Sequence, residues 1–162
     1  MLKTERLWLD NLRAGDVEPI AAYRNDPDCA RFQRWEAVSK DAVAAFVKAF
    51  ENSRWLSEEE EQHYAIRAEE TFVGDLSCFY NEQDRCVTLG ITVAPAHQRK
   101  GYAGELLEAV VAAVKGAHPG LDIVALIDPE NTASVALFEK LGFERECYGE
   151  KIRSYVYVIY GN

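Results

Sequence analysis

Residues 87–104 read VTLGITVAPAHQRKGYAG, a β-rich run followed by a basic loop and the start of a helix. The first amides of a helix have no intrahelical partner, and the peptide dipoles place about half a positive charge there. Gly101 lacks a Cβ that would obstruct a ligand, and Arg99 and Lys100 add positive charge to a chain whose net charge is −9. The stretch therefore predicts a site for an anionic ligand.

The spacing of this loop excludes two common phosphate-binding motifs. It lacks the Gly-x-x-x-x-Gly-Lys-Ser/Thr of nucleotide-hydrolysing P-loops and the Gly-x-Gly-x-x-Gly of dinucleotide folds. Taken alone, the loop also fits a plain helix start in which Gly101 begins the helix and the basic pair is solvated.

Length and composition favour one folded domain spanning residues 1–162. The chain has 48% hydrophobic residues and enough of them for a packed core. Its negative net charge argues against nucleic-acid and anionic-membrane partners. We expect a cytoplasmic protein, because no apolar run reaches the roughly 20 residues of a membrane span and the start lacks a signal-peptide pattern. The four cysteines form no Cys-x-x-Cys pair, which favours reduced thiols without a metal site.

Periodicity around the loop predicts a mixed α/β (α+β) fold. We expect a first strand over 5–12, a helix after Asp16 and another after Ser39, then antiparallel strands over 64–68, 72–80 and 86–93. An amphipathic helix follows the loop, and the apolar run 123–127 is typical of a central strand buried on both faces. The remaining elements are a helix capped by Asn131 or Thr132 and a closing strand over 151–160. The strand-helix-strand unit from Val87 to Ile127 predicts a parallel pair within a mostly antiparallel, curved sheet of about six or seven strands, with about four helices.

Two motifs carry a family resemblance. Residues 98–103, QRKGYA, match the pattern Gln/Arg-x-x-Gly-x-Gly/Ala in order, and residues 131–143, NTASVALFEKLGF, are similar to an Asn-x-x-Ala/Ser…Glu-Lys-x-Gly-Phe helix. Both belong to the GNAT superfamily of acetyl-coenzyme A (acetyl-CoA) dependent N-acetyltransferases, which the sequence resembles over nearly its whole length. The openings at 2–7 and 39–43 are similar to the branch of ribosomal-protein N-terminal (alanine/serine) acetyltransferases.

The resemblance implies the family's fold, in which the parallel strands splay apart to admit acetyl-CoA. The pyrophosphate is expected on the amides from Arg99 to Gly104 and the pantetheine beside the strand from Leu89 to Val93. Ser134 is expected near the sulfur as a catalytic group, although it also fits a small residue on a crowded helix face, and Asn131 is expected at the pantetheine, although it also fits an ordinary cap. The cofactor-binding residues implied are Ile91, Thr92, Val93, Gln98, Arg99, Lys100, Gly101, Tyr102, Ala103, Gly104, Asn131 and Phe138.

The chain departs from the family pattern at two positions. Phe138 stands where many relatives carry a tyrosine acid, and Thr88 stands where the ribosomal branch carries a glutamate base. An α-amine, with a pKa of about 7.7 to 8.0 against about 10.4 for lysine, needs a base less. Positioning and an oxyanion-stabilising amide near Ile91 to Val93 then carry the reaction. If an enzyme base does titrate, His97 and Glu36 are the first candidates.

The resemblance implies acetyl transfer to a primary amine, a protein N-terminus or small amine, in a ternary complex. The alternative is a non-catalytic acyl-CoA-binding module. A third hypothesis, an acidic interaction protein using Trp35, Trp55 and residues 58–61, does not explain residues 98–104.

The sequence leaves open whether the protein forms a homodimer. Several acidic residues are candidates to attract the amine, and the alternative is that they are plain solvated surface. They are Asp26, Asp28, Glu36 and residues 58–61. Four aromatic residues are candidates for the walls of the acceptor pocket, and the alternative is that they pack in the core. They are Tyr23, Phe32, Trp35 and Tyr80.

Overall fold

The structure is a computed structural model that describes residues 1–33, 36–57 and 60–162. Its strands are β1 Leu7–Asp10, β2 Glu61–Ala68, β3 Thr71–Asn81, β4 Cys86–Val93, β5 Asp122–Ile127, β6 Glu144–Gly149 and β7 Ser154–Ile159. Its α-helices are α1 Val17–Arg24, α2 Pro27–Gln33, α3 Lys40–Phe50, α4 Tyr102–Ala117 and α5 Thr132–Lys140. Short 3₁₀ turns cover Ala14–Asp16 and Pro95–His97.

The strands form one sheet in the order β1-β2-β3-β4-β5-β7-β6. Only β4 and β5 pair in parallel among the described strands, which confirms the predicted α/β class and the predicted parallel pair. Their register runs from Cys86 beside Asp122 to Leu89 beside Ala125 and stops there. Beyond that point β4 stays on β3 and β5 stays on β7, so the pair opens at the C-terminal end of β4.

Two apolar layers cover the sheet. The α4 stripe predicted from the sequence packs into the larger core, where Leu106, Leu107, Val110 and Val114 are fully buried. A smaller core joins α1 and α3 to the opposite face. This second layer does not reach β5, where Leu126 is 47% exposed, so the prediction of a strand buried on both faces is wrong.

The sequence analysis missed two elements. Helix α2 has no buried residue, so it lacks the apolar stripe from which a helix is predicted, and it raises the helix number from about four to five in the described residues. Strand β6 is exposed almost throughout and shows no alternation; the single strand predicted over 151–160 is in fact the shorter β7, reached from β6 by a turn.

Helices α3 and α5 begin with capping side chains that were predicted from the sequence. The Ser39 hydroxyl accepts a hydrogen bond from Ala42 N at 3.1 Å, and Asn131 Oδ1 accepts one from Ser134 N at 3.2 Å. Asp16 stands at the predicted position before α1, but its carboxylate accepts hydrogen bonds from the Arg13 amide and the buried Arg67 guanidinium. This buried ion pair ties β2 to the start of α1.

Candidate active site

The basic loop reaches α4 through left-handed backbone. Arg99 has φ 62° and Gly101, which precedes the first helical residue, has φ 79°. The first bond of the α4 ladder runs from Glu105 N to Gly101 O at 3.1 Å. The amides of Tyr102, Ala103 and Gly104 therefore precede the ladder and form the N-terminal donor group that the sequence predicted for an anion.

Residues outside the loop hold it from behind. Arg6 Nη1 donates to the Lys100 carbonyl at 2.9 Å, and Arg6 Nε donates to Glu105 at 2.7 Å. The Thr4 hydroxyl donates to the same carboxylate at 2.6 Å, and this hydrogen bond, with those from Arg6, lowers the pKa of Glu105 against the opposing effect of burial. Sequence reasoning did not assign Thr4, Arg6 or Glu105, although Thr4 and Arg6 lie in the opening segment that carried the resemblance.

A cavity of about 630 Å³ lies between the end of β4, helix α2 and the start of α5. A second cavity of about 220 Å³ continues along the loop to Gly101 and Gly104. Predicted site residues that line one or both are Ile91, Thr92, Val93, Gln98, Arg99, Gly101, Tyr102, Ala103, Gly104, Asn131 and Ser134. We call these two connected volumes the cleft.

Two predicted residues do not line the cleft within the described chain. Lys100 borders a separate cavity of about 510 Å³ on the other side of the loop. Phe138 is 4% exposed and its ring packs edge-on against Phe143, which places it in the core beneath α5.

The β4 wall presents backbone donors to the cleft. Ala94 N donates to Val73 O on β3 at 2.8 Å. Because amide directions alternate along a strand, the amides of Ile91 and Val93 face the opposite side, into the gap beside β5. Gln98 Nε2 donates to the Val93 carbonyl at 2.9 Å and so fixes the loop to the end of this strand.

The α2 wall is acidic where it lines the cleft. Asp26 and Asp28 lie on it with Phe32, while Glu36 is exposed and outside the lining. Asp26 accepts hydrogen bonds from the amides of Asp28 and Cys29, which makes it a cap as well. Tyr23 and Tyr80 are buried and belong to the core, and Trp35 and residues 58–59 lie outside the described residues.

Buried polar groups lie beside β4, on the neighbouring strands β3 and β2. Asp75 on β3 is the cross-strand partner of Thr92 and accepts a hydrogen bond from the Tyr23 hydroxyl. Burial, together with the Asp75 charge, raises the pKa of Tyr23 well above its usual range. His63 on β2 reaches Asp75 Oδ2 with Nδ1 at 3.7 Å. The sequence analysis assigned no role to Asp75 or His63 and named Tyr23 only as a candidate aromatic residue of the acceptor pocket; an aspartate inside the buried run of β3 was the signal available.

The candidate bases named from the sequence lie elsewhere. His97 closes the 3₁₀ turn after β4 and lines the loop end of the cleft together with Val93. Within residues 1–33, 36–57 and 60–162, no group of three His, Cys, Asp or Glu side chains is arranged to hold a metal ion, and the four cysteines are unpaired. No helix in these ranges has the length and apolar character of a membrane span.

Comparison with known proteins agrees with this architecture. The model of the acetyltransferase (GNAT) domain matches residues 6–144. The chain is 25% identical over 150 residues to the Bacillus subtilis (strain 168) protein named Uncharacterized N-acetyltransferase YnaD, covering 93% of this chain and 86% of that protein.

Solved structures share the fold. A Bacillus anthracis GNAT-family acetyltransferase superposes with a TM-score of 0.83 at 23% identity, covering 98% of this chain and 97% of the other. A Vibrio cholerae protein provisionally described as a ribosomal-protein-serine acetyltransferase gives 0.78 at 22% identity, covering 98% and 96%. A Vibrio cholerae spermidine N-acetyltransferase in complex with CoA and spermine gives 0.75 at 22% identity, covering 96% and 94%. With the domain match spanning most of its length, this chain belongs to the GNAT family of acetyltransferases.

Proposed function

We propose that this protein transfers the acetyl group of acetyl-CoA to a primary amine, a protein N-terminus or a small amine, by direct transfer in a ternary complex. One observation carries the proposal: the α4 donor group, the open edge of β4 and the acidic α2 wall all border the same cleft. The Vibrio cholerae relative of the same fold holds CoA and spermine, which supports a cleft for a CoA thioester and an amine.

The donor end of the cleft fits a CoA thioester. Phosphates would lie on the loop amides from Arg99 to Gly104, since bare helix amides and left-handed backbone at Gly101 form an anion cradle. The Ile91 and Val93 amides would accept the pantetheine arm and the carbonyl oxygen of the thioester. Asn131 would meet the arm from α5, and Ser134 would lie beside the sulfur.

The acceptor end favours a cation. Asp26 and Asp28 lie on the α2 wall, and a primary amine arrives as an ammonium ion at neutral pH. Phe32 supplies apolar area on the same wall. We therefore propose an amine acceptor, with neither nucleic acid nor membrane as partner, and a site of action in the cytoplasm.

A screen of acceptors tests this function. The protein is incubated with acetyl-CoA and peptides, polyamines, aminoglycosides or amino acids, and both free thiol and acetylated product are measured. We expect stoichiometric thiol and acetylated amine from at least one class. Tight binding of acetyl-CoA without product from any class favours the alternative, a non-catalytic acyl-CoA-binding module.

We expect Ser134→Ala to lower kcat by at least about tenfold with little change in the KM for acetyl-CoA. A side chain that assists proton transfer is worth roughly 10² to 10⁴ in rate, and the Ser134 hydroxyl is the polar group of α5 that lines the cleft beside Asn131. Thr132→Ala, on the exposed first turn of the same helix, is the matched control. A fall of less than tenfold assigns Ser134 to packing.

A further inference from the structure

A buried polar chain runs from the cleft wall to the protein surface. Asp75, 6% exposed, binds the Tyr23 hydroxyl with Oδ1 and faces His63 Nδ1 with Oδ2 at 3.7 Å. His63 Nε2 lies 3.1 Å from the carboxylate of Glu61, whose side chain is 59% exposed. The imidazole thus lies between one buried and one exposed carboxylate.

The inner end of this chain meets the proposed acceptor end of the cleft. Asp75 and Thr92 are paired across β3 and β4, and directly paired side chains lie on the same face about 5 Å apart at Cβ. Thr92 lines the cleft, where its hydroxyl accepts a hydrogen bond from Gln33 of α2 at 3.2 Å. Thr92 is therefore a residue of the cleft lining that lies next to Asp75.

Aromatic side chains pack on the His63 ring, and its Nδ1 makes no hydrogen bond within the described residues. Phe46 and Phe50 of α3 pack on the ring with centroids 4.8 and 4.6 Å away. Its buried Nδ1 has no hydrogen-bond partner among the described residues, and Asp75 lies just beyond hydrogen-bond distance. A buried nitrogen without a partner costs stability, and such exceptions call for an explanation.

We propose that His63, acting through Asp75, takes up the proton that the acceptor ammonium loses before it attacks the thioester. The proposal rests on the proposed function. It supplies a proton acceptor in a chain that has Thr88 at the position of the glutamate base of the ribosomal branch. His63 acts as a relay and does not itself touch the substrate.

The protons balance over one turnover. The ammonium passes one proton through the Thr92 hydroxyl to Asp75, which transfers it to His63 Nδ1; the imidazolium releases a proton from Nε2 to Glu61 and solvent. Exchange of the remaining Nδ1 proton for one on Nε2 restores the starting tautomer before the next turnover. The neutral amine forms the N–C bond as the C–S bond breaks. The second proton of the nitrogen goes to the departing thiolate, so one proton is released for each amide formed.

Charged and aromatic groups surround His63 on several elements. Glu61 on β2 lies beside Nε2, and Asp75 on β3 lies beside Nδ1. On the helix side α1 contributes Tyr23, bound to Asp75, and Arg24, whose guanidinium lies over Phe46, while α3 contributes the two aromatic rings. Only the neutral imidazole can accept a proton, so the relay requires the unprotonated ring at the start of each turnover.

Profiles of kcat/KM from about pH 5.5 to 9, with two acceptors of different amine pKa, test the relay. We expect wild type to show an acidic limb at the same pH for both acceptors. Glu61→Gln removes the carboxylate that takes the proton from Nε2, and we expect it to lower kcat by at least about threefold. His63→Gln removes the limb and lowers kcat at least about tenfold while the dissociation constant of acetyl-CoA stays within about threefold. His118→Gln, whose ring contacts Tyr80, is the control and keeps the limb.

The outcomes separate the relay from the proposed function. An unchanged kcat in Glu61→Gln, or an acidic limb that persists in folded His63→Gln, overturns the relay while acetyl transfer by wild type stands. If His63→Gln does not fold, Glu61→Gln decides alone, since its side chain is largely exposed. Absence of acetyl transfer by wild type overturns the proposed function itself.

Discussion

Gly101→Val abolishes acetyl-CoA binding in calorimetry, whereas Arg99→Ala retains weaker, salt-dependent binding. Gly101 has φ 79°, a conformation that costs a β-branched residue about 1 to 2 kcal/mol or more, so valine reshapes the loop and turns its amides away from the phosphates. Arg99→Ala removes one exposed, screened charge, and we expect a loss of about fivefold against at least a hundredfold for Gly101→Val.

A glycine of the same helix supplies the control. Gly116 lies near the end of α4 with no atom within 4 Å of an added Cβ, so Gly116→Ala keeps wild-type binding. It also raises the free energy of unfolding by up to about 1 kcal/mol, because alanine favours helix. Equal affinities in wild type, Arg99→Ala and Gly101→Val would remove the loop from the site.

Arg67→Ala lowers the free energy of unfolding by about 3 to 5 kcal/mol, because it leaves Asp16 buried without its partner. Arg67 is 1% exposed and bonds Asp16 twice at 2.9 Å, Asp10 at 3.0 Å and the Asn11 carbonyl at 3.2 Å. Urea unfolding measures the change. Lys40→Met, which breaks the exposed Lys40–Glu18 pair, is the control and costs at most about 1 kcal/mol. A loss below about 1 kcal/mol in Arg67→Ala would contradict this account.

The same Arg67 network is expected to make the stability of the fold depend on pH in acid. Burial raises the pKa of Asp10, but hydrogen bonds from Arg67 and the Asn11 amide, with the charge of Arg67, outweigh it and hold the pKa below its usual range. A lowered carboxyl pKa stabilises the fold above the unfolded value and loses that contribution as pH falls through the folded value. We expect wild type to lose stability below about pH 4 and Arg67→Ala to show a smaller loss over that range, measured by unfolding at each pH.

The regular part of this fold could be predicted because its cause is local. The α4 stripe, the Ser39 and Asn131 caps and the glycine-bearing loop each follow from residues close in sequence. The parallel pair follows from the helix between β4 and β5, since such crossovers join parallel strands. Helix α2 and strand β6 could not be predicted, because neither buries an apolar face.

The candidate site divides in the same way. The loop and the α5 start were predicted from contiguous motifs, and most of those residues line one cleft. Arg6 and Glu105 are 99 residues apart, and Tyr23 and Asp75 are 52 apart, so only the sheet brings each pair together. Phe138 occupies a motif position, but its side chain turns into the core, which a motif does not reveal.

Direct transfer has a competitor that the cleft itself suggests. Cys29 lines the wall opposite β4, so transfer of the acetyl group through its thiol is the alternative to direct attack by the amine. Burial, with the charges of Asp26 and Asp28, raises the pKa of the Cys29 thiol and so keeps it protonated and weakly nucleophilic. The amine is therefore expected to attack the thioester itself.

Mass spectrometry of the protein and of the small molecules, after mixing with acetyl-CoA in the presence and absence of an accepted amine, tests the central claim most directly. We predict one acetylated amine for each CoA thiol released, no thiol release without the amine, and an unchanged protein mass in both samples. Acetyl-protein formed without amine, or thiol release with no acetylated amine, would contradict direct acetyl transfer in a ternary complex.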